Sequence, residues 1–165
     1  MWPVWLPSKK SAASITAGGM VLNQDFKEFV QSLNAKQVRY LIVGGYAIAL
    51  HGHPRYTKDL DVWIEMNPEN AAKVIAALEA FGFGSLGLQA ADFLVPDQII
   101  QLGYPPNRVD LLTTLPGVDF PPCYASRVQI EVEGIPVNFI DLDNLKKNKK
   151  ASGRSQDLAD LESLE

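Results

Sequence analysis

Asp59 and Asp61 are separated by a single residue in the run KDLDVWIE, residues 58–65. On a β-strand, where side chains alternate, both carboxylates point to one face while Leu60 and Val62 point to the other. Two carboxylates side by side repel, and the pair is relieved by a bound cation or a shared proton. Asp110, between Val109 and Leu111, repeats the arrangement of Asp61 between Leu60 and Val62. A third carboxylate on a neighbouring strand would complete a set able to hold hard divalent cations, about 3.5–4 Å apart in two-metal sites. Upstream, Gly44-Gly45 follows the apolar run Tyr40–Val43. Glycines there let backbone approach a ligand closely, at a helix start suited to phosphate. Alone, Asp-x-Asp also fits the surface of a half-exposed sheet; the glycines upstream and Asp110 downstream favour metal and phosphate.

Other chemistry-bearing residues have plainer uses. Arg55 lies in the loop before the aspartates, placed either to meet phosphate or to be solvated, whereas Lys58 should face away from Asp59. His51 and His53 lack a third ligand at zinc spacing, so helix termination and local hydrogen bonding account for them. Lys146, Lys147, Lys149, Lys150 and Arg154 form the main basic cluster, ordinarily a solvated helical face, and Asp157 and Asp160 are expected either to pair with it or to favour the helix start. Cys123 has no base beside it in sequence and reads as a small packing residue.

The chain has 165 residues, 47% of them hydrophobic and 21% charged, and a formal net charge of −4. Those totals describe one globular domain with a proper core and argue against a nucleic-acid surface held by charge alone. A single cysteine excludes an intrachain disulfide, and the longest apolar run is too short to span a bilayer. A cytoplasmic setting is the expectation. Residues 1–19 are expected to be a loosely ordered leader, with Met20 as an alternative start and residues 20–165 as one domain.

The elements that must position the candidate residues follow from pattern. A helix capped by Asn23 carries Phe26, Phe29, Val30 and Leu33 on one stripe. A strand over 39–43 leads through a Gly-Gly turn into a helix over 46–50, and a strand over 58–65 carries the aspartates. Asn67-Pro68 starts a helix that Gly82 or Gly84 stops. Residues 98–102 and 108–113 read as short strands about a turn, and 127–133 and 135–140 as a hairpin around Gly134. The tail 141–165 reads as charged helix, broken at Ser152-Gly153, with Ser155 as cap and Leu158, Leu161 and Leu164 as its apolar edge. The class is α+β with a mixed sheet.

The stretch GGYAIALHGHPRYTKDLDV, with NRVDLLTTLPGV and KKASGRSQDLADLESL further on, resembles the polymerase-β-type nucleotidyltransferase superfamily. It is most similar to the small single-domain bacterial members found alone or in toxin–antitoxin and abortive-infection settings. The resemblance implies a short mixed β-sheet with helices packed on one side and a helical C-terminal tail. It implies that Gly44 and Gly45 hold the triphosphate of an NTP, and that Asp59 and Asp61 bind Mg²⁺ or Mn²⁺. Asp110 would be the third ligand or the base that activates the acceptor, with Arg55, Lys149 and Arg154 near phosphate or acceptor. The implied reaction moves an NMP to a hydroxyl on protein, RNA or a small molecule, with release of pyrophosphate. An alternative is a catalytically weak antitoxin or regulatory partner of a toxin, and a third is a nucleotide sensor. Gly45 stands where several members have serine. The larger enzymes' acceptor-binding domains have no counterpart here, so the acceptor site is expected in the same domain, on a partner chain, or not at all.

Overall fold

The computed structural model describes residues 15–16, 19–20, 22–52, 57 and 59–164. Of the expected leader, only two short paired strands are described, β1 (Ile15–Thr16) and β2 (Gly19–Met20). The helix α1 (Gln24–Ala35) starts where Asn23 accepts from the Phe26 amide at 2.8 Å, and it buries the expected stripe of Phe26, Phe29, Val30 and Leu33. Next come β3 (Tyr40–Val43), α2 (Gly44–Leu50) and β4 (Leu60–Ile64). The two glycines are therefore the first residues of α2 and no turn precedes it, a correction to the sequence reading. Likewise Asp59 sits in a bend just ahead of β4, and the strand begins one residue later.

The helix α3 (Pro68–Phe81) is capped by Asn67 and stopped by Gly82 at φ 109°. Two 3-10 turns then lead to β5 (Ile99–Leu102) and β6 (Val109–Leu112). A short helix, α4 (Phe120–Ala125), follows, which the sequence reading did not include; proline in its first turn suits a helix start. The hairpin β7 (Val128–Val132) and β8 (Ile135–Phe139) turns through Glu133 and Gly134, both at positive φ. The chain ends in α5 (Leu142–Ser152) and α6 (Ser155–Leu164).

Six strands form one mixed sheet in the order β5-β6-β4-β3-β8-β7. β4 is antiparallel to β3 and parallel to β6, while β3 is parallel to β8. The fold class is the expected α+β. Alternation separates the two faces. Tyr40, whose hydroxyl donates to Asn34 of α1 at 2.9 Å, shares its face with Ile42, Val62 and Ile64. The other face carries Asp61 and Trp63, and Trp63 meets Phe120 of α4 edge-on at 5.0 Å between ring centroids. Buried Asn70 accepts from the Arg39 amide at 2.8 Å and donates to the Glu65 carbonyl at 2.8 Å, which ties the adjacent ends of β3 and β4 together. The central strands that carry the aspartates are thus fixed on one side by an apolar core and at one end by a buried amide.

Candidate active site

The parallel register pairs Leu60 with Val109 and Asp61 with Asp110. One step back, Asp59 stands beside Arg108, whose carbonyl accepts from the Leu60 amide at 3.0 Å. Four side chains of one face therefore form a square of three acids and one arginine. Asp61 and Asp110 come together as the sequence predicts, with Asp59 next to them. Sequence reasoning missed Arg108. The signal was available, because Arg108 is two residues before Asp110 and so shares its face.

Arg108 lies between two of the three carboxylates. Its Nη2 is 2.9 Å from Asp59 Oδ2 and 3.2 Å from Asp110 Oδ2, and its Nε is 2.9 Å from Asp110 Oδ1. Asp59 Oδ1 is buried with no hydrogen-bond partner. Among the described residues, no three of Asp, Glu, His and Cys converge on a point able to hold an ion. Burial, then the charges of Asp110 and Asp59, push the Asp61 carboxyl up to about 7. Burial also raises Asp110, despite the Arg108 hydrogen bond that opposes it. The face therefore holds more negative charge than Arg108 offsets.

Gly44 makes the recess for Asp61. Its φ is 67°, and a Cβ placed there would collide with the Asp61 carboxylate. The left-handed backbone costs alanine roughly 1–2 kcal/mol, and the collision adds overpacking strain of about 1–3 kcal/mol. Gly44→Ala should lower stability by about 3 kcal/mol in urea unfolding, while Gly52→Ala, with open space around it, should lose only the backbone part. Equal losses in the two variants would show that the recess is not needed.

A cavity of about 600 Å³ separates this face from α5 and α6, and its lining includes Gly45, Asp59, Asp61, Asp110, Lys149 and Arg154. Lys149 is buried, with Nζ 3.1 Å from Asp157 Oδ1 and 3.6 Å from Asp160 Oδ2. Arg154 Nε donates to Asp157 Oδ2 at 2.7 Å while most of its side chain is exposed. Burial would raise Asp157, but the hydrogen bonds from Arg154 and Lys149 outweigh it and hold the carboxyl below its usual range. The expected pairing of Asp157 and Asp160 with the basic cluster is present. The expected apolar edge of α6 is buried only in part: Leu164 is half-buried against the core, but Leu158 is 49% exposed and the fully buried residues are Asp157 and Asp160. The ionic requirement of Lys149 wins over the leucine pattern. Lys149 and Arg154 thus reach the cavity with their charges already countered.

The remaining expectations place simply. Arg55, His53 and Lys58 lie outside the described residues. His51 Nε2 is 2.9 Å from the Ile140 carbonyl, so the bond is not the expected local one but joins the end of α2 to the residue after β8. Cys123 is buried in the core, and burial pushes its thiol up to about 11, which leaves it unsuited to nucleophilic work. No helix among the described residues is long and apolar enough to cross a membrane.

A mixed sheet that presents adjacent aspartates from two central strands beside a glycine-lined recess is the frame of a nucleotidyltransferase. The chain belongs to the family described as nucleotidyltransferase of unknown function, DUF6036, which it matches over residues 20–165. No curated protein matches the sequence. The structure is similar to that of a candidate nucleotidyltransferase from Thermotoga maritima, with a TM-score of 0.57 and 14% identity, over 84% of this chain and 88% of that one. It also resembles an antigenic nucleotidyltransferase-like protein from Paracoccidioides brasiliensis, with a TM-score of 0.48 and 20% identity, over 85% of this chain and 74% of that one.

Proposed function

We propose that the chain is a Mg²⁺- or Mn²⁺-dependent nucleotidyltransferase that moves an NMP from an NTP to a hydroxyl acceptor. The observation that carries this reading is the placement of Asp59, Asp61 and Asp110 on one sheet face beside Gly44, at the wall of a nucleotide-sized cavity. These residues fit a hard cation in chemistry, since all are oxygen donors and Asp59 Oδ1 is a buried acceptor without a partner. Asp59, Asp61 and Asp110 would hold the ion, which when bound supplies positive charge against the phosphates. Gly45 lines the cavity, where phosphate would lie, without a side chain, and Gly44 leaves room for the Asp61 carboxylate.

The acceptor oxygen adds to the α-phosphorus as the bond from that phosphorus to the β-phosphate oxygen breaks, and pyrophosphate leaves. Asp110 is either the third ligand or, with its carboxyl raised by burial, the group that takes the acceptor's proton.

Purified protein incubated with each labelled NTP, Mg²⁺ and cell extract should transfer label to an acceptor, and an Asp59→Ala, Asp61→Ala double variant should reduce transfer to background. If no NTP binds in the presence of Mg²⁺ or Mn²⁺, the reading fails. A second reading, a catalytically weak partner or regulatory protein such as an antitoxin, is favoured by the pairing of Arg108, Lys149 and Arg154 with carboxylates of the same chain. NTP binding without pyrophosphate release, together with co-purification of a partner, would select it.

A further inference from the structure

We infer that Arg108 is a built-in counter-ion of the acidic face, which competes with divalent cation for Asp59 and Asp110 and must give them up before the ion is held. The inference rests on the metal reading above and goes beyond it by naming the group that opposes metal binding. Three observations support it. The guanidinium reaches both carboxylates at once, taking one oxygen of Asp59 and both oxygens of Asp110. A bidentate arginine and a divalent cation make the same demand on a carboxylate, so one excludes the other. With Arg108 in place, no three acids among the described residues gather around one point, although Asp59, Asp61 and Asp110 are neighbours on one face.

The backbone of Arg108 is held while its side chain is free to leave. Leu60 donates to the Arg108 carbonyl at 3.0 Å. The preceding residue, Asn107, is buried, accepting from Asn23 at 2.9 Å and donating to Asp25 at 3.3 Å. These bonds tie the start of β6 to the N-terminus of α1. The side chain, by contrast, is 26% exposed, so solvent can receive it when it swings out. The Arg108 Nε and Asp110 Oδ1 atoms are close enough for an ion pair but are not aligned for a hydrogen bond, which leaves this contact weaker than its distance suggests. The arrangement opposes the repulsion among the three acids without locking them.

The test is Mn²⁺ titration of the full chain followed by electron paramagnetic resonance, with no nucleotide present. Arg108→Gln should bind Mn²⁺ more tightly than the wild type, on the order of tenfold. Arg108→Lys, which keeps the charge but cannot span two carboxylates, should fall between them. Thermal melts in EDTA confirm folding, and the Arg108→Gln melt should gain more from Mn²⁺ than the wild-type melt does. Equal Mn²⁺ affinity in wild type and both variants overturns the competition while leaving the metal reading intact. Weaker binding by Arg108→Gln overturns it too, and makes Arg108 a residue that positions the ligands. If no form binds Mn²⁺ at all, both the inference and the metal reading fall.

Discussion

Replacing Lys149 with methionine should destabilise the protein by about 3–5 kcal/mol, the usual cost of breaking a buried ion pair from one side. Lys149 and its two partners, Asp157 and Asp160, are nearly inaccessible to water, with side-chain exposures of 7%, 2% and 7%. Methionine fills the space of the lysine stem but leaves two buried carboxylates without their shared cation. Arg154 also contacts Asp157, but its exposed guanidinium cannot reach across to take both acids' charge. Arg154→Met should cost less, about 1–2 kcal/mol, because it removes a hydrogen bond to the buried Asp157 while Lys149 still pairs with that acid. Urea unfolding of the two variants gives the comparison. A loss below 1 kcal/mol for Lys149→Met would mean that α6 is not held through Lys149. A triple variant that removes Lys149, Asp157 and Asp160 together should recover much of the loss, since no uncompensated charge then remains buried.

The second large effect depends on pH. The Asp61 carboxyl titrates near 7 in the fold, against about 3.9 when unfolded. Below pH 4 both states are protonated and the group contributes nothing either way. As pH rises from about 4 to 7, the unfolded chain releases this proton and the folded chain keeps it, so folding loses stability. Above 7 the loss levels off. Three pK units correspond to a cost of up to about 4 kcal/mol. Asp61→Asn removes the ionisation and should be more stable than wild type at pH 8, by on the order of 10 °C in melting temperature in EDTA. At pH 4.5 the two should differ little. Mn²⁺ should raise the wild-type melting temperature at pH 8 and leave that of Asp61→Asn nearly unchanged. A constant difference between the proteins from pH 4.5 to 8 would show that Asp61 is not strained by its neighbours.

Local periodicity made much of the frame legible. The caps at Asn23 and Asn67, the stop at Gly82, the Gly134 hairpin and the apolar stripes of α1 and α3 are written in short-range pattern. The shared face of Asp59 and Asp61 follows from a two-residue period, but the neighbourhood of Asp61 and Asp110 depends on β4 and β6 pairing in parallel. That pairing is set by packing across nearly fifty residues of chain. The period that places Asp110 on this face also places Arg108, but that an arginine there bridges Asp59 and Asp110 depends on the same pairing. The orientation of α6 was legible only through Lys149: the leucines suggest one buried side and the demand of a buried ammonium imposes another. The helix α4 was hidden by its prolines.

The way α6 is attached has a dynamic consequence. A helix that buries carboxylates, leaves Leu158 in solvent and sets Leu164 against the core is held more by ion pairs than by apolar surface, so once those pairs are hydrated its opening would leave β3 and β4 in place. Opening of this kind is a local event whose free energy is a fraction of that for global unfolding. The cavity would then have a rigid floor, fixed by the core and by Asn70, and a roof that samples open and closed forms on its own. Access of a nucleotide or acceptor to the aspartates would be governed by the exchange of one short helix.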